Sequence, residues 1–139
     1  MEFVTRKITR AAAAIRLGLQ KELVLGDLKA VRDWSYAGDT VKAMWLMLQQ
    51  DEPKDFIIGS GKLHTIQDCL DVAFSHMGLK WQDYVKTDPK YLRPLETKPL
   101  LAEPIRAKEI LGWQPGVDFK GLIKMMVEAD MEVLGKGKK

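Results

Sequence analysis

Lys7 in "VTRKIT", Arg32 in "VRDWSY" and Arg93 in "YLRPLE" are cations set beside a turn or an aromatic in three separate stretches of the chain. Converging on one point, they would hold a diphosphate, because arginine offers a planar fork to phosphate oxygens and lysine a point charge. Each such charge-assisted hydrogen bond contributes about 1.5–3 kcal/mol. Spacing alone does not fix the convergence, since solitary surface lysines and arginines are common. Arg6, Lys7 and Arg10 also fall in the first turns of a helix, where unpaired N–H groups and the macrodipole favour anions over cations. Either these side chains reach into water or an anion lies at that helix start.

Other chemistry is poorly supported. His64 and His76 stand twelve residues apart with no clustered cysteines or acidic ligands, so they read as surface or capping residues rather than a zinc site. Cys69 lies inside a helical stretch without a histidine neighbour and reads as packing, not as a nucleophile. "GSGK" at 59–62 resembles the end of a phosphate loop, but the glycine required five residues before Gly61 is Phe56. The Met and Trp residues of 37–50 recur at helical spacing and read as core. No metal, catalytic or cofactor-binding residue is therefore expected in this chain.

The 139 residues, with 46% hydrophobic and 29% charged content, suit one globular domain able to bury a core without staples. That domain is read as 1–135, followed by a flexible basic tail, 136–139. The single cysteine excludes an internal disulfide and points to a reducing cytoplasm. No apolar run approaches the roughly 20 residues that span a bilayer, and no signal-peptide pattern is present, so a soluble, cytoplasmic protein without a membrane partner is expected. The net charge of +3 comes from Lys136, Lys138 and Lys139; without them 19 basic residues face 19 acidic ones, which argues against nucleic acid as a partner.

The elements that must position the cations follow from periodicity. Ile8, Ala11, Ala12, Ile15 and Leu19 predict one buried face of a helix over 4–19, with Thr5 as a candidate cap. A strand is expected at 22–25 and an extended or looped piece around 31–34. The stretch 37–50 predicts a well-buried helix capped by Asp39 or Thr40, with Val41, Met44, Trp45 and Leu48 on its inner face. "DFIIGSG" suits a strand over 55–59 buried on both faces. Thr65 and Asp68 resemble a capping box opening a helix that stops at Gly78. Four prolines confine 83–104 to loop and short extended pieces. A brief helix over 104–111 ends at Gly112, and Asp118 caps a last helix with Leu122, Ile123, Met126, Val127 and Met131 inside and Gly135 fraying with the lysines. The fold class is α/β, mainly helical, with strands too short to form a large sheet by themselves. The strands at 22–25 and 55–59 lack evident partners, which suggests exposed apolar surface and self-association.

"FVTRKITRAAAAI", "LGDLKAVRDWSYAGDTVKAMWLMLQQ", "DPKYLRPLET" and "AKEILGWQP", in this order, closely resemble the C-terminal part of the GDP-mannose 4,6-dehydratase family, within the extended short-chain dehydrogenase/reductases. The resemblance runs over about residues 3–133. It implies that Lys7, Arg32 and Arg93 contact the phosphates of GDP-mannose, that Glu96 accepts a hydrogen bond beside them from a ribose hydroxyl, and that Val4, Leu25 and Gly26 line the nucleotide pocket. Leu92, Ser35 and "LLAEP" depart from the family pattern without removing a phosphate ligand. The family binds NADP on a Rossmann domain and uses a Tyr-x-x-x-Lys pair; here Tyr36, Tyr84 and Tyr91 are followed four residues on by Thr40, Asp88 and Leu95. The resemblance therefore implies a substrate-binding portion whose Rossmann half lies elsewhere as an N-terminal partner, with no NADP bound to this piece and a homo-oligomer as the complete enzyme. A UDP- or dTDP-sugar enzyme sharing "LGWQP", or a non-catalytic helical interaction module, are the alternatives.

Overall fold

The computed structural model describes residues 3–91 and 99–136, so Arg93 and Glu96 lie outside the described residues. The element order is α1 (Val4–Arg16), β1 (Leu23–Leu25), β2 (Val31–Asp33), α2 (Ala37–Leu48), β3 (Leu63–Thr65), α3 (Ile66–His76), a 3-10 turn (Trp81–Asp83), β4 (Val85–Thr87), a second 3-10 turn (Pro89–Tyr91), α4 (Ile105–Leu111) and α5 (Phe119–Lys136). They fall into two compact units.

The first unit takes the described residues of Met1–Ala30, Thr65–Glu96 and Ile123–Lys139. Ile8, the alanines 11–14 and Ile15 of α1 are buried, as are Ile66, Cys69, Leu70, Ala73 and Phe74 of α3, against which α1 packs. The alanine run thus serves as a close-packing surface. The helix stops at Arg16 rather than Leu19, because Gly18 takes φ +71° and the N–H groups of Leu19 and Gly18 turn back onto the carbonyls of Ala14 and Ile15. This Schellman arrangement leaves Leu19 exposed, so it does not belong to the buried face. Thr5 lies inside the helix; the cap is Phe3, with no side-chain hydrogen bond.

β1 is not without a partner. It pairs in parallel with β4, Leu23 opposite Val85 and Leu25 opposite Thr87. The partner is three residues long inside the proline-rich stretch, where periodicity has nothing to register. The capping box holds: Asp68 N–H donates to Thr65 Oγ1 (3.0 Å) and Thr65 N–H to the Asp68 carboxylate (2.7 Å), while Gly78, at φ +68°, terminates the chain turn after α3. Along α5, Ile123 and Val127 are buried, Met126 and Met131 half-buried, and the helix runs through Gly135 and Lys136 instead of fraying there.

The second unit takes Val31–His64 and the described residues of Thr97–Leu122. β2 and β3 form a two-stranded sheet. Ala43 of α2, Ala107 and Leu111 of α4, and Trp113 make a buried cluster onto which Leu46, Met47, Phe56 and Ile58 pack. Two aspartates organise the loops. The Asp33 carboxylate accepts hydrogen bonds from the backbone N–H groups of Ser60, Gly61 and Ala102 and from Ser60 Oγ. A Cβ on Gly59 would stand 2.3 Å from that of Ala102, so only glycine permits this approach.

Asp39 corrects a second expectation. The cap of α2 is Tyr36, without a side-chain bond, and Asp39 sits in the first turn with its carboxylate accepting from Gly116 and Val117 N–H (2.9 and 3.0 Å). The expected inner face of α2 is also reversed: Ala43 is its one buried residue among those described, while Val41, Met44, Trp45 and Leu48 are exposed. Both sides of this helix are apolar, so periodicity could not choose between them. Segment 55–59 is not a ladder strand either; Phe56 and Ile58 are half-buried and Ile57 exposed. Toward the C-terminus, α4 ends at Gly112 (φ +62°), and Asp118 caps the start of α5 through Gly121 N–H (2.7 Å).

Candidate functional site

Parallel strands point their carboxyl ends the same way, and loops leaving that end are where α/β folds gather ligand groups. In the first unit β1 and β4 both end there, β1 leading into Gly26 and β4 into the turn Pro89–Tyr91. Lys7, on the first turns of α1, reaches this corner. Its Nζ donates to the Val24 carbonyl (2.6 Å) and lies 4.8 Å from the centroid of the Tyr91 ring. A carbonyl dipole and an aromatic quadrupole both attract the ammonium and hold it in place. An ammonium has three donors, and Val24 takes one. Leu25, buried, and Gly26 follow Val24 directly, and Val4 precedes Lys7 by one helical turn.

The cations of the helix start thus separate by role. Arg6 Nη2 pairs with Asp130 Oδ1 at 2.8 Å, and Thr9 Oγ1 donates to Asp130 Oδ2 at 2.8 Å. Asp130 is fully buried on α5, so Arg6 and Thr9 compensate a carboxylate removed from water. Arg6 answers to a fixed internal anion, whereas Lys7 is held by neutral groups. Arg10 also has a partner. The sequence reading missed Tyr91, Val24 and Asp130. A signal for Asp130 existed, since it follows Ile123 and Val127 at the spacing of the buried face.

Arg32 lies on β2 in the second unit, where its Nη1 donates to the Val31 carbonyl (2.7 Å), one of its interactions. Arg93 and Glu96 follow Tyr91 in the chain but lie outside the described residues. His64 stacks on Phe119 at 3.9 Å and 8°, and Phe119 on Trp34 at 5.6 Å and 16°. His76 Nε2 meets Glu128 Oε1 at 2.9 Å. Cys69 is fully buried; burial, with a smaller contribution from Asp68, pushes its thiol up to about 12, so it is held as the unreactive neutral form. Among the described residues no group of three or more His, Cys, Asp or Glu is placed to hold a metal ion. An open cleft of about 540 Å³ in the second unit, lined by Lys62, His64, Lys108, Trp113 and Asp118, contains none of the described residues expected to bind. No buried side-chain polar atom among the described residues lacks a partner there or elsewhere.

Comparison with known proteins gives this arrangement its class. The chain superimposes on the structure of RMD from Pseudomonas aeruginosa complexed with NADPH with a TM-score of 0.84, covering 94% of this chain and 43% of that one at 20% identity. The fold is that of the extended short-chain dehydrogenase/reductases. A family model described as GDP-mannose 4,6 dehydratase matches residues 1–126, and the chain belongs to that family. Among curated relatives, GDP-mannose 4,6 dehydratase 2 of Arabidopsis thaliana is 52% identical over 136 residues and GDP-mannose 4,6 dehydratase 1 of the same plant 50%. Each alignment covers 98% of this chain. The chain spans 36% and 38% of the length of these two relatives.

Proposed function

We propose that this chain supplies the GDP-mannose-binding portion of an NADP-dependent GDP-mannose 4,6-dehydratase, which converts GDP-mannose to GDP-4-keto-6-deoxymannose and water. The observation that carries the reading is the ammonium of Lys7, fixed by Val24 and Tyr91 at the carboxyl end of a parallel strand pair, on a helix whose start has neither a side-chain cap nor an acidic residue. A pyrophosphate arriving there gains both the cation and the helix N-terminus.

In this proposal Lys7, Arg32 and Arg93 bind the phosphates, Glu96 accepts from a ribose hydroxyl, and Val4, Leu25 and Gly26 line the nucleotide. The substrate-binding domain is 1–135. NADP has no fit on the described residues: β1 runs through Gly26 into β2, so the strand–turn–helix that would receive a dinucleotide pyrophosphate is not formed there. The chemistry belongs to an N-terminal Rossmann partner, and this piece alone is inactive. The unreactive Cys69 suits a reducing cytoplasm, and no helix among the described residues is long and apolar enough to cross a membrane. The complete enzyme is proposed to be a homo-oligomer.

Titration calorimetry of the chain with GDP-mannose, GDP, UDP and dTDP tests the reading. GDP and GDP-mannose bind, UDP and dTDP bind at least tenfold more weakly, and Lys7→Met weakens GDP at least tenfold with an unchanged thermal midpoint. Equal affinity for UDP, or an unaffected K7M variant, would overturn it.

A further inference from the structure

Lys7 is the cation on which the functional reading rests, and the groups that hold its tip are all neutral. Its Nζ donates to the Val24 carbonyl (2.6 Å) and stands 4.8 Å from the centroid of the Tyr91 ring, and among the described residues no carboxylate pairs with it. Neighbouring Arg6 shows the alternative: its guanidinium meets the Asp130 carboxylate at 2.8 Å, so its charge is already answered inside the protein. A carbonyl dipole and a ring quadrupole attract an ammonium without cancelling its charge. The turn that carries Tyr91 is built onto the end of β1. Asp88 N–H donates to the Leu25 carbonyl (2.9 Å), the Asp88 carbonyl accepts from Tyr91 N–H (3.0 Å), and the Asp88 carboxylate accepts from Lys90 N–H (2.9 Å). The acidic side chain of this turn is therefore committed to its own backbone. The Tyr91 side of the contact is 52% exposed, so the core does not demand an aromatic at that position.

A free lysine side chain loses rotamer freedom when it engages an anion, and holding it beforehand removes that loss from the binding step. A carboxylate would hold the ammonium as firmly, but it would compete with an incoming phosphate for the same charge and repel it. We propose that Tyr91 is a positioning residue for phosphate recognition: its ring face, in place of a carboxylate, holds the Lys7 ammonium ready with its charge uncancelled. The proposal rests on the functional reading above and deepens it. Tyr91 acts through Lys7 and needs no contact of its own with the nucleotide. The position requires an aromatic ring, and the phenol hydroxyl has no part in it. A leucine there removes the holder, whereas a glutamate supplies a holder that neutralises the lysine.

Calorimetry of the chain with GDP and with guanosine tests the proposal. Tyr91→Phe binds GDP within about twofold of the parent, Tyr91→Leu about fivefold more weakly and Tyr91→Glu at least about tenfold more weakly, the order expected of a ring–ammonium contact at an exposed site. Guanosine, which has no phosphate, binds all three variants as it binds the parent, and their thermal midpoints are unchanged because the side chain is half in water. Added to Lys7→Met, Tyr91→Leu has no further effect on GDP, since the ring then has nothing to hold. Two readouts need no nucleotide. Reductive methylation of the Lys7 amine, followed by peptide mass spectrometry, is faster in Tyr91→Leu than in the parent, and the upfield ring-current shift of the Lys7 ε-methylene protons is present in the parent and in Tyr91→Phe and absent from Tyr91→Leu. Parent-like GDP affinity in Tyr91→Leu, Tyr91→Glu binding as tightly as Tyr91→Phe, or equal losses for GDP and guanosine would overturn the proposal and leave the functional reading standing. If Lys7→Met leaves GDP unweakened, the functional reading falls, while the methylation rates and proton shifts still decide whether Tyr91 holds Lys7.

Discussion

Lys7 and Arg6 are neighbours in sequence with opposite employment, and their difference is a matter of what surrounds each tip. Arg6 neutralises the buried Asp130, and removing one member of such a pair strands the other in a medium that solvates it poorly. Arg6→Met should lower unfolding stability by about 2–3 kcal/mol, with Thr9 still donating one hydrogen bond to the carboxylate. Replacing both partners, as Arg6→Met with Asp130→Leu, should restore most of the loss; urea melts of the single and double variants beside the parent check the pattern. Of this corner, the sequence made Lys7 legible because a cation at a helix start contradicts the dipole. It hid Asp130, because one polar residue in an apolar stripe resembles noise until its partner, far away in the chain, is seen.

Cys69 yields a pH prediction. Its ordinary value is 9.0 and its folded value about 12, so between those limits the unfolded chain has lost a proton that the folded chain retains. The contribution is whole below about 9 and is lost as pH rises toward 12, at about 1.4 kcal/mol per pH unit. Cys69→Ala, though less stable through its cavity, should show a correspondingly flatter alkaline decline in stability measured by denaturant titration from pH 8 to 10.5. In the folded protein the thiol should react with an aromatic disulfide reagent at least a hundredfold more slowly than in urea.

At the scale of elements, some ends of helices were legible and most faces were not. Gly78 and Gly112 take positive φ and Thr65 with Asp68 forms its reciprocal cap, as their local chemistry predicts, whereas Gly18, also at positive φ, ends α1 inside the stretch read as helix. Gly18→Ala should cost about 1 kcal/mol, since an alanine Cβ resists φ +71° even though nothing lies within 4 Å of it; the thermal midpoint reads the loss. Faces are decided by what a segment meets, and α2 offers two apolar ones. The expected burial of Val41, Met44, Trp45 and Leu48 inverted because Ala43, small enough for close approach, sits on the other side against Ala107 and Trp113. Likewise β1 was recognisable from Leu-Val-Leu, but its ladder partner Val85–Thr87 was not. A parallel pair of three residues each leaves no turn between the strands to announce it.

For the molecule as a whole, the loops of the second unit hang on two carboxylates. Asp33 ties residues 60, 61 and 102 to β2. Asp33→Ala leaves three backbone donors without their acceptor and should destabilise the protein by about 3 kcal/mol or more, with exchange accelerated at Ser60, Gly61 and Ala102 before any change in the first unit's amides. Local loss of protection confined to one unit is the behaviour expected when stability is distributed unevenly.

The pairing of β1 with β4 joins positions as far apart as Leu23 and Val85, whereas every helix is assembled from neighbours. Ordering a span of that size is entropically slow and is rewarded by only three ladder positions. During refolding, α1 and α3 should therefore gain protection well ahead of the strand pair. The consequence reaches Lys7: the carbonyl and the ring that seat its ammonium belong to β1 and to the turn after β4, so the nucleotide affinity proposed for this corner should return as a late kinetic phase, after helical signal is complete.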